Sequence, residues 1–131
     1  MNRRISSALL LILATACNSS ATRTVTLQIG DVTAPSELVP GAALHLTVTV
    51  YSGGCTTYDH LDVQHSESQV TVQAIGTDNS RDGVVCNSML VTNPVAVDID
   101  PPFTDPVAVI ALEPDGTTLT KSVRIRTGPA Q

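Results

Sequence analysis

The stretch Leu44-His45-Leu46-Thr47-Val48-Thr49-Val50 decides the fold class of this chain, because apolar and polar side chains alternate through it. Successive side chains of a β-strand point to opposite faces of the sheet, so this alternation predicts a strand with one buried face. His45 is expected to face outward. The expected inward side chains are Leu44, Leu46, Val48 and Val50.

Stretches of the same kind predict the rest of a sheet. We expect strands over residues 24–29, 44–50, 61–63, 70–74, 95–99, 107–112 and 118–125. Gly30-Asp31 is expected to end the first of these strands, and Ser52-Gly53-Gly54 to turn the chain after the second. Asp115-Gly116 lies between the last two strands and predicts that they pair as an antiparallel hairpin.

About seven short strands with regularly spaced turn signals are typical of an all-β fold built as an antiparallel two-sheet sandwich. The immunoglobulin-like form is the expected one, although the chain lacks the tryptophan that true immunoglobulin domains bury between their cysteines. Cys55 and Cys86 are expected to form a disulfide located at strand ends or in loops. The sandwich should span residues 24–127, with a frayed end at 128–131.

The N-terminal segment has the three parts of a secretory signal peptide. Arg3 and Arg4 precede an apolar run from Ala8 to Ala14, and small residues follow before Cys17. The apolar run is too short to cross a bilayer as a helix. This pattern predicts that residues 1–16 are removed.

Ala14-Thr15-Ala16-Cys17 resembles the lipobox of bacterial lipoproteins, although that family usually has Leu, Val or Ile where this chain has Ala14. The resemblance implies that Cys17 carries a diacylglyceryl thioether, becomes the acylated N-terminus and anchors the protein in a membrane of the cell envelope. Asn18 is similar to the residue found in lipoproteins sorted to the outer membrane, facing the periplasm or the cell surface. Residues 17–23 would then be the lipidated cysteine and a flexible tether.

Ordinary signal peptidase is the alternative, because Ala14-Thr15-Ala16 also fits its A-x-A rule and would leave Cys17 unmodified. The cysteine count favours lipidation. If Cys55 and Cys86 pair, the third cysteine has a role only as the anchor.

The net charge of the processed chain argues against nucleic acid as a partner. Removal of residues 1–16 leaves 5 basic and 12 acidic residues, so the net charge becomes 5 − 12 = −7. An acidic domain lacks the basic surface that nucleic acid requires, so no nucleic-acid partner is expected. Aromatic residues that could stack on bases or sugars are limited to Tyr51, Tyr58 and Phe103.

Residues Asp78-Asn79-Ser80-Arg81-Asp82-Gly83 resemble the first half of a calcium-binding loop, with Asp78, Ser80 and Asp82 as ligands. Met89 occupies the position where that loop has a bidentate glutamate, and no flanking helices are expected. A solvated hairpin loop rich in turn-forming residues is the alternative interpretation. No metal site or cofactor is therefore assigned.

Two other polar clusters contain residue types that occur in metal or catalytic sites. Asp59, His60, Asp62 and His65 have metal-binding side chains, but His60 and His65 should face opposite sides of a strand. Asp98 and Asp100 should share one face, with Asp105 beyond two prolines, yet no third group is placed to separate their pKa values for acid–base catalysis. No catalytic motif is found, so an enzyme is not expected.

The function expected from the sequence is a non-catalytic, lipid-anchored envelope protein that binds or spaces another envelope component, a protein or a glycan, through sandwich loops. The alternative is a small-ligand or calcium-binding protein that uses the loop from Asp78 to Gly83. A third hypothesis, an inhibitor of an envelope hydrolase, has no supporting loop motif.

Overall fold

The computed structural model describes residues 22–128, and this part of the chain is all-β, with nine strands and no helix. The strands are β1 (Arg23–Leu27), β2 (Ile29–Thr33), β3 (Glu37–Leu38), β4 (Leu44–Gly53), β5 (Thr56–His65), β6 (Gln69–Asp78), β7 (Leu90–Ile99), β8 (Val107–Leu112) and β9 (Thr118–Ile125). The all-β prediction is confirmed. None of the described residues forms a helix long and apolar enough to cross a membrane.

Hydrogen bonds join the strands into one curled sheet in the form of a half-barrel, and do not separate them clearly into two sheets. The main path runs β2-β4-β5-β6-β8-β9-β3, with β1 paired to β6 and β7 paired to β4. Pairing is antiparallel except between β6 and β8 and between β3 and β9. β4 and β5 share a single register pair, Gly53 with Thr56, so the sheet turns sharply there.

The core lies inside the curl of the sheet. The four inward side chains predicted for β4 are all buried, as the alternation requires. They pack in one apolar cluster with the alternate residues of β6 and β8, which are Val70, Val72, Ala74, Val107, Val109 and Ala111. Burial of such side chains is the main favourable term in folding, so the alternating strands hold the domain together.

The sequence predicted some strands closely and others poorly. The bounds of β8 and β9 and their antiparallel pairing are confirmed, and Leu112 lies opposite Thr118 across the turn. The prediction that Gly30-Asp31 ends the first strand is wrong. The chain leaves β6 after Leu27 and continues along β4 from Ile29, so two strands replace the one predicted.

β5 and β7 are each ten residues long, well beyond the short stretches predicted for them, and β3 was not predicted. Both long strands lie beside the main apolar strands, and apart from the buried Ile99 their inner faces carry half-buried residues, which weakens their alternation in the sequence. Among the strands that the structure describes, β7 pairs with β4 alone. It contains Pro94, which an edge strand tolerates because its missing N–H costs the sheet no hydrogen bond there.

The register places several features at one end of the domain, called here the disulfide end. Asp78 lies opposite both Arg23 and Thr56, and Gly53 lies opposite Leu90. Cys55 and Cys86 form the predicted disulfide at this end, with their Cα atoms 5.0 Å apart. The far end of the domain carries the start of β4, the pairing of β3 with β9, and Val39.

Candidate binding surface

The loop between β6 and β7, residues 79–89, is called here the disulfide loop, and it exposes apolar side chains together with the first residues of β7. Val85 is 95% exposed, Met89 69% and Leu90 68%, and Val84 and Val91 are also exposed. Single exposed apolar residues are ordinary, but a group of five within eight positions is a feature of contact sites. This segment is therefore the first candidate for a binding surface.

The disulfide loop has a fixed shape because both its ends and its middle are held. The Asn79 N–H donates to the Cys55 carbonyl at 2.9 Å, and the disulfide fixes Cys86 to the same turn. Within the loop, the Val84 N–H donates to the Arg81 carbonyl at 3.0 Å. A loop that is ordered before binding loses less entropy when it meets a partner.

Two glycines in the turn after β4 let the loop lie close to the sheet. Gly53 has a φ of 136°, and a Cβ there would lie 2.0 Å from the Met89 carbonyl oxygen. Gly54 has a φ of 64°, and a Cβ there would lie 3.2 Å from the Asn87 carbonyl oxygen. The turn needs glycine at Gly53 for conformation and for space, and this places Met89 beside β4.

Tyr51 on β4 separates two grooves at this end of the sheet. Its ring covers Gly30, where a Cβ would lie 2.3 Å from the ring carbon Cζ. One groove, of about 340 Å³, is lined by Met89 and Leu90, and the other, of about 480 Å³, by Leu119 and the turn after β8. We call Tyr51, Met89, Leu90 and Leu119 the Tyr51 surface.

Glu113 fixes the wall of the second groove. Its Oε2 accepts a hydrogen bond from the Ile29 N–H at 3.1 Å, across the kink between β1 and β2. Its Oε1 is buried and has no hydrogen-bond partner within residues 22–128. The carboxylate thereby ties the turn after β8 to the strand that runs beneath Tyr51.

Two of the three candidate calcium ligands, Asp78 and Ser80, have other partners in the structure. Asp78 Oδ1 accepts from the Ser80 N–H, and its Oδ2 accepts from the Arg23 guanidinium, each at 2.8 Å. Arg23 also donates to the Ser80 hydroxyl at 3.3 Å. A guanidinium therefore already contacts two of the three proposed ligands, and calcium would have to displace it.

Hydrogen bonds from Ser80 lower the pKa of Asp78, and the Arg23 guanidinium lowers it further. The carboxylate is thus held ionised by groups of the chain itself. Across residues 22–128, no three His, Cys, Asp or Glu side chains are grouped so that they could hold a metal ion.

The acidic and histidine residues of β5 do not converge. His60 pairs with its neighbour Asp59, with Nδ1 at 2.9 Å from Oδ2. In the register with β6, His60 lies opposite Ile75 and His65 opposite Val70, so the two histidines lie at separate places along the strand.

Burial raises the pKa of the Tyr58 hydroxyl, and the charge of Asp59 raises it further.

Two of the three aspartates near the two prolines, Asp98 and Asp105, have different hydrogen-bond partners. Asp98 lies directly opposite His45 in the pairing of β4 with β7, and its carboxylate contacts the imidazole Nδ1. Asp105 accepts from the Ile125 N–H at 2.8 Å and from Arg124 at 3.1 Å. These bonds lower the pKa of Asp105, with the backbone bond as the larger cause.

Cys17 and the signal-peptide residues lie outside the described residues. The sequence predicted the disulfide but did not single out the Tyr51 surface or the exposed loop. A usable signal was present, since Val84-Val85 and Met89-Leu90-Val91 are apolar but interrupted by Cys86-Asn87-Ser88, without the alternation of a half-buried strand. Comparison of the chain with protein-family models, with curated proteins and with solved structures finds no match in any of the three.

Proposed function

We propose that this protein is a non-catalytic, lipid-anchored protein of the cell envelope whose β domain binds another envelope component, a protein or a glycan, through the Tyr51 surface. The observation that carries the proposal is the exposure of Met89 and Leu90 beside a half-buried tyrosine, on a loop fixed by a disulfide. Tyrosine and methionine are enriched in protein interfaces, and a fixed loop favours binding.

Support for the anchor comes from the sequence alone, through the lipobox resemblance at Cys17. Anchoring at Cys17 places the protein in an outer membrane, facing the periplasm or the cell surface, as Asn18 suggests. A net charge of 5 − 12 = −7 over the processed chain makes nucleic acid an unsuitable partner.

We also propose that the curled sheet is a variant of the immunoglobulin-like sandwich. The half that contains β4 faces the half that contains β6 and β8 across one apolar core, as two sheets of a sandwich do. The halves are linked at a single register pair between β4 and β5, so a small loss of pairing would separate them.

The test is crosslinking of the full-length protein in its native envelope, followed by purification. The wild type is compared with Leu90→Ser, which alters the Tyr51 surface, and with Val39→Ser, a matched control at the far end where Val39 is 61% exposed. A partner lost in Leu90→Ser and kept in Val39→Ser supports the proposal. A partner retained equally by both variants contradicts the proposed surface.

The anchor is tested in the same experiment with Cys17→Ala. If the protein is a lipoprotein, this variant leaves the membrane fraction and loses its envelope partner. Calcium binding, the alternative, predicts a melting temperature that rises with millimolar calcium in the wild type and not in Asp78→Ala. Because Arg23 contacts Asp78 and Ser80, we expect no such rise.

A further inference from the structure

The first strand of the domain begins beside the disulfide loop. The Arg23 guanidinium, at the start of β1, donates to Asp78 Oδ2 at 2.8 Å and to the Ser80 hydroxyl at 3.3 Å. Ser80 belongs to the disulfide loop. The chain that leads back to Cys17 therefore joins the domain at the disulfide end, next to this loop.

The stretch of chain between Cys17 and the first strand is short. Cys17 and Arg23 are separated by 23 − 17 = 6 positions, and six residues of extended chain span at most about 20 Å. An acylated Cys17 would hold the disulfide end within that distance of the bilayer. β4 has ten residues, so the far end lies about 30 Å further along the strand direction.

The tip of the disulfide loop has the chemistry of a membrane contact. Val84 and Val85 follow the turn at Gly83, where a Cβ would meet no atom within 4 Å, so the tip stands clear of the domain. The charges of the loop, Arg81 and Asp82, cancel, and Asp78 is paired with Arg23. An otherwise acidic domain thus presents a neutral, apolar tip at its anchored end.

We propose that Val84 and Val85 dock into the interfacial region of the membrane that holds Cys17, so that a lipid surface is the partner of the loop tip. The inference rests on the lipid anchor of the proposed function. In this arrangement the loop tip contacts lipid. Met89 and Leu90, which line the groove beside Tyr51, contact the envelope partner. The disulfide fixes the shape of the loop, and the anchor keeps the loop tip close to the membrane.

The absence of tryptophan from the chain allows a direct test. A single reporter is introduced by Val85→Trp, and a matched reporter by Val39→Trp at the far end. Each full-length acylated protein is reconstituted into phosphatidylcholine vesicles whose acyl chains carry bromine, which quenches tryptophan fluorescence on contact. We expect blue-shifted, quenched emission from position 85 and unshifted, unquenched emission from position 39.

Equal emission from the two positions in vesicle-bound protein would overturn the inference, whether both are quenched or neither is. Crosslinking of position 85 to an envelope protein, with its emission unquenched, would overturn it in favour of a protein contact. Failure of the anchor has a different signature. If the wild type sediments with vesicles no better than Cys17→Ala, the lipid anchor is wrong, and both proposals fail together.

Discussion

At the scale of single residues, Gly53 occupies a position at the disulfide end that only glycine fits without strain. Alanine there would have to adopt a φ of 136° and place its Cβ 2.0 Å from a backbone oxygen of Met89. We expect Gly53→Ala to lower the free energy of unfolding by about 3 kcal/mol or more, since backbone strain and displacement of the loop both contribute. Urea denaturation measures the loss.

Gly41→Ala is the matched control for this substitution. Gly41 also has a positive φ, 78°, but a Cβ there would meet no atom within 4 Å. Its alanine variant should lose only the conformational term, about 1 to 2 kcal/mol. Equal losses in the two variants would show that the close approach of Met89 does not constrain the loop.

Asp78 should make the stability of the fold depend on pH. Its pKa is lowered in the folded protein by Ser80 and Arg23, so the ionised carboxylate stabilises the fold. A lowered pKa contributes stability above the usual value of about 3.9, and this contribution is lost as pH falls through the folded value. Asp78→Asn should therefore be less stable than the wild type at pH 7 and approach it in stability under acid conditions.

The measurement is thermal unfolding from pH 7 down to about pH 2, so that the range extends well below the usual pKa of an aspartate. Asp62→Asn serves as a control, because Asp62 is exposed and has no hydrogen-bonded side-chain partner among the described residues. A stability difference for Asp78→Asn that stayed constant over this pH range would assign the effect to shape and not to charge.

At the scale of elements, the disulfide fixes the loop between β6 and β7. The bridge joins residues 31 positions apart, for which the chain-entropy model gives a stabilisation of about 3 to 4 kcal/mol. We expect the variant with both Cys55→Ser and Cys86→Ser to lose about this much in chemical denaturation. We also expect residues 79–89 to become the first site of protease cleavage.

Reduction of the wild type by dithiothreitol controls for the substitutions themselves and should give a similar loss. Unchanged denaturation midpoints in both the reduced wild type and the double variant would show that hydrogen bonds such as that from Asn79 to Cys55 hold the loop without the bridge.

The strands differ in how far their local sequence determines them. β4 and the hairpin of β8 and β9 were predicted because alternation and an Asp-Gly turn are local signals. The chain pairs with β6 up to Leu27 and with β4 from Ile29. This change of partner strand was not predicted, because it depends on strands distant in the sequence. Tyr51 was missed as a site for the same reason, since its groove exists only once the ring covers Gly30, 51 − 30 = 21 positions earlier in the sequence.

At the scale of the whole molecule, charge is unevenly compensated. Three of the five basic residues within residues 22–128 form ion pairs with acidic side chains: Arg23 with Asp78, Arg124 with Asp105, and Arg126 with Glu37. Exposed pairs of this kind contribute little, about 0 to 1 kcal/mol each. The repulsion among the remaining carboxylates should therefore dominate the response to salt.

We expect the melting temperature to rise when sodium chloride is increased from about 10 mM to about 150 mM, since screening then acts over about 8 Å. The comparison is the double variant Asp62→Asn with Asp100→Asn, whose net charge after processing is −7 + 2 = −5. Its melting temperature should rise by less. A melting temperature that fell with added salt would show that the three ion pairs outweigh the repulsion.

The fold class and the disulfide could be predicted from the whole sequence, but the surface that the disulfide positions could not. Composition and alternation report which residues avoid water, and they do so well for Val48 or Val109. Residues Val85 and Leu90 are apolar too, yet they lie in water. Only the three-dimensional arrangement, with the loop held at the end of β4 by Gly53 and Cys55, separates these two groups.

Pro94 in the edge strand β7 has a consequence for the protein at high local concentration. Within residues 22–128, one edge of this ten-residue strand has no partner, and such an edge offers a template on which a neighbouring copy could add its own strand and start aggregation. A proline in the middle of that edge removes a hydrogen-bond donor, and Asp98 adds charge near its end. Copies crowded side by side in one plane would thus meet edges that resist polymerisation.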